Sequence, residues 1–173
     1  MSDLSVKIKR LHPDAVIPQY AHEGDAGFDL VAVADVIIEP GETALIPTGI
    51  AVELPPGYEL QVRPRSGITL RTKLRVQLGT VDSNYRGEVG VIVDNTDEYI
   101  ADARYEIKTI NDTNTKTDWP RLVGSYIIRK GDRIAQGVIA PVAAANFVEV
   151  DKLSDTTRGK GGFGSTGVIP SVT

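Results

Sequence analysis

An all-β fold is expected from this sequence, and three observations carry the expectation. Val and Ile together number 35 against 11 Leu; 17 Gly and 10 Pro fall at short intervals; and the apolar segments are short and alternate with polar residues. β-branched side chains pack well on a pleated surface, while Gly and Pro supply turns. The chain therefore reads as many short strands in a sandwich or barrel.

The elements follow in order. Residues 6–9 alternate apolar and polar. Residues 36–39 stop at the turn dipeptide Pro40-Gly41, and 50–54 stop at Pro55-Pro56-Gly57. Residues 58–62 alternate again, and 88–94 and 133–139 follow the same plan. One short helix is expected after Ser66, a residue type suited to capping its N-terminus. Residues 96–119 contain neither Gly nor Pro and are mostly polar, a pattern compatible with an extra hairpin or a short helix. From Arg158 the chain carries four Gly in nine residues. Such a stretch loses much entropy on ordering and reads, taken alone, as a mobile tail.

Composition narrows the function. A chain of 173 residues is one domain at the usual ~100–200 residues each. With no Cys, it has no disulfide scaffold, no thiol nucleophile and no zinc-finger or Fe–S ligand set. No apolar run approaches the ~18–20 residues of a membrane span, and MSDLSVKIKRLHPDAV lacks the apolar core of a signal peptide. A cytoplasmic location is expected. A net charge of −4 argues against direct nucleic-acid binding. Charge is nonetheless local: residues 63–75 carry five basic groups and no acid, and residues 158–167 carry two and no acid. Both suit a small polyanion.

Some motif matches fail on context. Gly162-Phe163-Gly164-Ser165-Thr166-Gly167 fits G-x-G-x-x-G, but that fingerprint needs a strand before it and a helix after it; with six residues following Gly167, no Rossmann unit is expected. Gly159-Lys160 is followed by Gly161 rather than the Ser or Thr of a P-loop. His12 and His22 have no zinc-site spacing and read as surface residues. Trp119, the single Trp, reads as a packing anchor.

Three clusters carry chemistry. Arg65-Ser66-Gly67 couples a guanidinium, a hydroxyl and a permissive backbone at a turn entering a helix, a combination that directs donors at phosphate oxygens. In the segment Gly79-Thr80-Val81-Asp82-Ser83-Asn84-Tyr85-Arg86-Gly87, Asp82 is placed to hold a water as general base and Tyr85 offers a flat face to a sugar or base. In Gly24-Asp25-Ala26-Gly27-Phe28-Asp29, two carboxylates sit on a turn into a strand, and carboxylates with phosphates are how Mg²⁺ is usually held. Together they point to nucleotide chemistry.

In this order, the clusters resemble the five motifs of the homotrimeric dUTP diphosphatases. The first is Asp25-Ala26-Gly27-Phe28-Asp29-Leu30 and the second Arg63-Pro64-Arg65-Ser66-Gly67. The third runs from Gly79 through Asp82 and Tyr85 to Glu88, and the fourth is Lys130-Gly131-Asp132-Arg133-Ile134-Ala135-Gln136. The fifth runs from Arg158 to Gly167. The resemblance implies a distorted β jelly roll over residues 1–157, followed by a mobile glycine-rich arm, 158–173. It implies a homotrimer with shared active sites, in which dUTP and water give dUMP and pyrophosphate with Mg²⁺ on the triphosphate. That reaction keeps uracil out of DNA and supplies dUMP for thymidylate synthesis. By the same resemblance Asp82 orients the attacking water, Tyr85 underlies the deoxyribose and excludes a 2′-hydroxyl, and the hairpin around Gly79 and Val81 reads uracil through its backbone. Arg65, Ser66, Gly67 and Gln136 contact the phosphates, and Asp29 meets the water shell of Mg²⁺. Phe163 covers the uracil, while Arg158, Gly164, Ser165 and Thr166 close over the phosphate end.

The chain departs from the family twice. Val76-Gln77-Leu78 stands where many relatives carry Asn near the uracil hairpin. Between Asn95 and Lys130 lie 34 residues, an insert at about 96–123 relative to compact relatives. Such inserts resemble those of phage-encoded dUTPases, some of which bind a repressor. The insert carries six acids and four bases. An additional regulatory role is the alternative reading, and the related dCTP deaminases, which share the fold, fit the third and fifth motifs less well.

Overall fold

The computed structural model describes residues 4–162. Its first compact unit, Met1–Ala143, holds every strand and the helix found among the described residues. The strands are β1 Lys7–Arg10, β2 Phe28–Val31, β3 Val36–Ile38, β4 Thr43–Pro47, β5 Ile50–Glu53, β6 Tyr58–Pro64, β7 Leu74–Val76, β8 Gly79–Val81, β9 Gly90–Asn95, β10 Ala103–Thr109, β11 Asn114–Leu122, β12 Tyr126–Ile128 and β13 Arg133–Pro141. The helix α1, Ser66–Arg71, lies between β6 and β7. Hydrogen bonding joins them as β2-β13-β6-β8, β4-β9-β7, β11-β10-β12-β3 and the pair β1-β5. The second unit, from Ala144, has no strand or helix in its described part.

The alternating segments bury one face, as expected. Leu30, Ile38, Ile46, Leu60, Val91, Tyr126 and Ile134 contribute to one apolar core. Each fully buried side chain of this size contributes about 1.5–3 kcal/mol. Lys130-Gly131-Asp132 forms the turn from β12 to β13. Gly131 has φ +93, a left-handed conformation that favours glycine. The Lys130 amide and ammonium are engaged by Asp35 and Asp14, at 2.7 and 2.6 Å, and the ammonium holds the Asp14 carboxyl below its usual range. That lysine of the fourth motif is therefore committed to the fold.

One expectation for the helix is corrected. Ser66 is its first helical residue rather than its cap; the N-cap is Arg65, in extended conformation, and no side chain caps the end. The helix is a single short turn or two, and Ile68 is the side chain it buries.

The insert is a hairpin. β10 pairs antiparallel with β11 and, on its other side, parallel with β12, so the extra strands enlarge an existing sheet. Ile107 and Ile110 are buried, while Trp119 is 73% exposed and packs as no anchor. Pro120 falls where the β10–β11 register shifts, on an edge strand, a position that costs no ladder bond. Buried Asn95 ties the root of the insert down. Its amide donates to the carbonyls of Ile38 and Gly124, at 3.0 and 2.9 Å, and its oxygen accepts from the Asp97 amide. Asn95→Ala is expected to lower unfolding free energy by about 1–3 kcal/mol, the cost of stranding buried acceptors, read from the urea midpoint.

Lys108 is the second anchor. Its ammonium lies 3.4 Å from Asp97 and 3.7 Å from Asp112, over the Tyr126 ring. Burial opposes its charge, but Tyr126, Asp97 and Asp112 outweigh that and raise its pKa. A raised lysine stabilises fully below its unfolded value of about 10.4 and loses the contribution as pH climbs through the folded value. Lys108→Met is therefore expected to lower the Tm at neutral pH. The gap to the parent should narrow above about pH 10.4.

Candidate functional site

Three of the motif segments meet on one sheet. In the β2-β13-β6 register, Gln136 stands opposite Asp29 on one side and Arg63 on the other. Arg65 follows at the end of β6. Its Nε lies 3.0 Å from one Asp29 oxygen, and its Nη1 donates to the Arg133 carbonyl at 2.8 Å. Arg133 Nη1 lies 3.3 Å from the other Asp29 oxygen. The first-turn N–H groups of Ser66 and Gly67, next along the chain, have no intrahelical acceptor. Guanidiniums, an exposed hydroxyl, free amide donors and the exposed Gln136 amide thus gather at one end of the sheet. That is a set of anion donors.

Asp29 is 22% exposed at its side chain and already holds two cations. Among the described residues no cluster of three His, Cys, Asp or Glu is placed to cage a metal. The donor set suits a polyphosphate that brings a hard cation with it, and Asp29 is the carboxylate that would face that cation.

The third segment forms a hairpin turn. β8 pairs with β6, Gly79 opposite Val62 and Val81 opposite Leu60. Asp82 follows, exposed, and its carbonyl accepts the Tyr85 amide at 3.1 Å. The Tyr85 hydroxyl donates to the Glu88 carbonyl at 3.1 Å, which lays the ring across the turn. A Cβ on Gly87 would overlap that ring and its hydroxyl, so Gly87 is the seat of Tyr85. Sequence reading placed Gly87 in the motif without giving it this task; only the ring's path reveals it. Glu88, in turn, accepts the Gly49 amide at 2.7 Å.

The register separates the third segment from the anion donors. β8 runs away from Arg65 along β6. Arg65 and the position facing Val81, Leu60, are five residues apart in that strand. At ~3.3 Å per residue this is about 16 Å, with Asp82 farther on. Along β6, Asp82 therefore lies toward the end remote from the anion donors.

Arg158 belongs to the second unit, where its Nε donates to the Gly161 carbonyl at 3.0 Å. Phe163, Gly164, Ser165 and Thr166 lie outside the described residues. At the departure from the family pattern, Val76 is buried, Gln77 donates to Asp94 and Leu78 is exposed. His12 and His22 are exposed, as expected.

Comparison with known proteins follows these features. Residues 14–105 and 124–167 match the family model described as dUTPase, which passes over the β10–β11 hairpin beyond residue 105. The chain is 46% identical over 166 residues to the deoxyuridine 5′-triphosphate nucleotidohydrolase of Picosynechococcus sp., covering 95% of this chain and 99% of that protein. It is 35% identical to the dUTPase of Staphylococcus bacteriophage 80alpha solved with dUpNHpp, with a TM-score of 0.90 over 95% of this chain and 99% of that one. It is 30% identical to the dUTPase of phage phi11 of S. aureus, with a TM-score of 0.84 over 87% and 99% of the two chains. That phi11 structure details the coordination of a structural Mg(II) ion, and another structure of the phi11 enzyme visualises a species-specific insert.

Proposed function

The chain belongs to the dUTPase family and hydrolyses dUTP to dUMP and pyrophosphate, and from this premise we propose that it does so at sites shared between the subunits of a homotrimer. The observation that carries the proposal is the span of about 16 Å between Arg65 and the strand end that leads to Asp82. One chain supplies Asp29, Arg65, Ser66, Gly67 and Gln136, and a neighbour supplies Asp82 and Tyr85. The exposed Phe147, Val148 and Leu153 of the second unit agree with burial against other subunits.

In this reading the donors around Arg65 bind the triphosphate and hold the α-phosphorus still. Asp82 of the neighbouring chain takes the proton of the attacking water and aligns it with the leaving pyrophosphate. In-line attack asks the protein mainly for positioning and charge stabilisation. The family uses Mg²⁺, which when bound neutralises phosphate charge; Asp29 orients one of its waters. Arg158, Phe163, Gly164, Ser165 and Thr166 close over the nucleotide, and water is excluded as they do so. The Gly79 and Val81 backbone reads uracil and leaves no room for a thymine methyl. No helix among the described residues is long and apolar enough to cross a membrane.

Tyr85 rejects the 2′-hydroxyl by occupying its space. Gly87→Ala is expected to push the ring outward and break the Tyr85–Glu88 hydrogen bond, since the Tyr85 hydroxyl and the ring carbons beside it must yield. The kcat/KM ratio of dUTP over UTP should fall by roughly tenfold. The main test is pyrophosphate release from dUTP beside dTTP, dCTP and UTP, with and without Mg²⁺. Release confined to dUTP and dependent on Mg²⁺ supports the reading; equal release from UTP would contradict the role of Tyr85.

The insert favours a second, compatible activity: binding a repressor or other protein. The hairpin carries Tyr105 and Trp119 in the open, 62% and 73% exposed. Deleting residues 97–119 would also remove buried Ile107 and Ile110. A surface pair, Tyr105→Ser with Trp119→Ser, is the cleaner test. Hydrolysis should stay at the parent rate while release of a cognate repressor from its operator is lost; release at parent levels would argue against the hairpin surface.

A further inference from the structure

We propose that Arg133 is a positioning residue for dUTP hydrolysis, acting through Asp29 and Arg65; the proposal rests on the reading of Arg65 and Asp29 as the triphosphate end of the site. A β-bulge interrupts β13 beside Arg133. In an unbroken β13, the residue sharing the Gln136 face would be Ile134. The register shifts between Arg133 and Ala135, so that Ile134 and Ala135 are both buried and Arg133 and Gln136 are both exposed. A bulge re-aims a side chain in this way. Its result here is that Arg133 faces Asp29 from the side opposite Arg65.

The three residues close a ring. One Asp29 oxygen meets Arg65 Nε at 3.0 Å, the other meets Arg133 Nη1 at 3.3 Å, and the Arg133 carbonyl accepts Arg65 Nη1 at 2.8 Å. Arg133 thus holds the catalytic-side arginine twice, by its carbonyl directly and by its guanidinium through Asp29. Arg65 spends two of its five N–H donors on these anchors and presents the rest in a fixed plane. Arg133 also sets the charge. Asp29 with Arg65 alone is neutral; with Arg133 the trio is +1, the sign a triphosphate requires. With the second guanidinium gone, Asp29 would be free to turn both oxygens onto Arg65. That would withdraw donors from the phosphates and misplace the water contact to Mg²⁺.

The test compares Arg133→Ala, Arg133→Lys and Arg65→Ala with the parent, measuring KM for dUTP, kcat and the Mg²⁺ concentration for half-maximal rate. The Arg133 side chain is 63% exposed, so truncation is expected to leave the melting curve in place. Arg133→Ala should raise KM roughly tenfold and raise the Mg²⁺ midpoint, with kcat changed much less. Arg133→Lys, which restores the charge, should recover most of the KM. Parent KM and Mg²⁺ midpoint in Arg133→Ala, beside a crippled Arg65→Ala, would overturn the positioning role alone. Parent kinetics in Arg65→Ala would overturn the site reading and the positioning role with it.

Discussion

Asp82→Asn is expected to abolish most turnover while leaving dUTP binding intact. The side chain is exposed, at the head of a turn held by the Tyr85 amide and the Glu88 carbonyl, and the substitution disturbs neither contact. Asn has the same shape as Asp. It lacks the negative charge and the basicity needed to take a proton from water. Loss of a positioned base costs ~10²–10⁴ in rate. Binding should be unchanged or tighter, because one negative charge near a polyanion is gone. Equilibrium binding of dUTP alongside single-turnover hydrolysis separates the two effects. Parent-rate hydrolysis in Asp82→Asn would remove Asp82 from the role of base.

Truncation after Ser154 should depress turnover by ~10² or more while the trimer persists, since single donors to developing phosphate charge are worth ~10²–10³. The cut removes Arg158 and the glycine-rich motif but none of the strands among the described residues, which end by Pro141. Phe147, Val148, Val150 and Leu153, exposed apolar side chains of the second unit, are retained. Light scattering reports the assembly and pyrophosphate release the activity. Full activity in a truncated trimer would return the segment to the status of a tail.

The chain's local pattern carried some of this and not the rest. Residues 58–62 alternate and form the central strand β6, with Leu60 and Val62 buried; residues 133–139 form its partner β13, where the alternation breaks at the adjacent buried pair Ile134 and Ala135. Asp29 and Arg65 could be named from motif chemistry and Gln136 from the family resemblance; their adjacency follows from long-range register. The distance from Arg65 to Asp82 could not be read. It depends on which half of β6 receives β8, and no local residue pattern records that. The bulge at Ile134 has no sequence signature either, so the task of Arg133 stayed hidden inside its motif. Trp119 misled because bulk suggests burial, yet β11 is an edge strand with an open face. Ser66 misled by one position, a common margin at helix ends. The insert was compatible with helix or hairpin until its pairing to β12 decided it.

The central claim is that Asp82 and the Arg65 cluster act together across a subunit boundary. Mixed trimers test it most directly. Asp82→Asn and Arg65→Ala are each expected to be nearly inactive alone. Refolded together in equal amounts, they should recover activity at about one site in four, the fraction in which an intact Arg65 chain meets an intact Asp82 neighbour in a closed ring. A mixture as inactive as its parts, in trimers shown to have exchanged subunits, would place both residues in one chain's site and contradict the account.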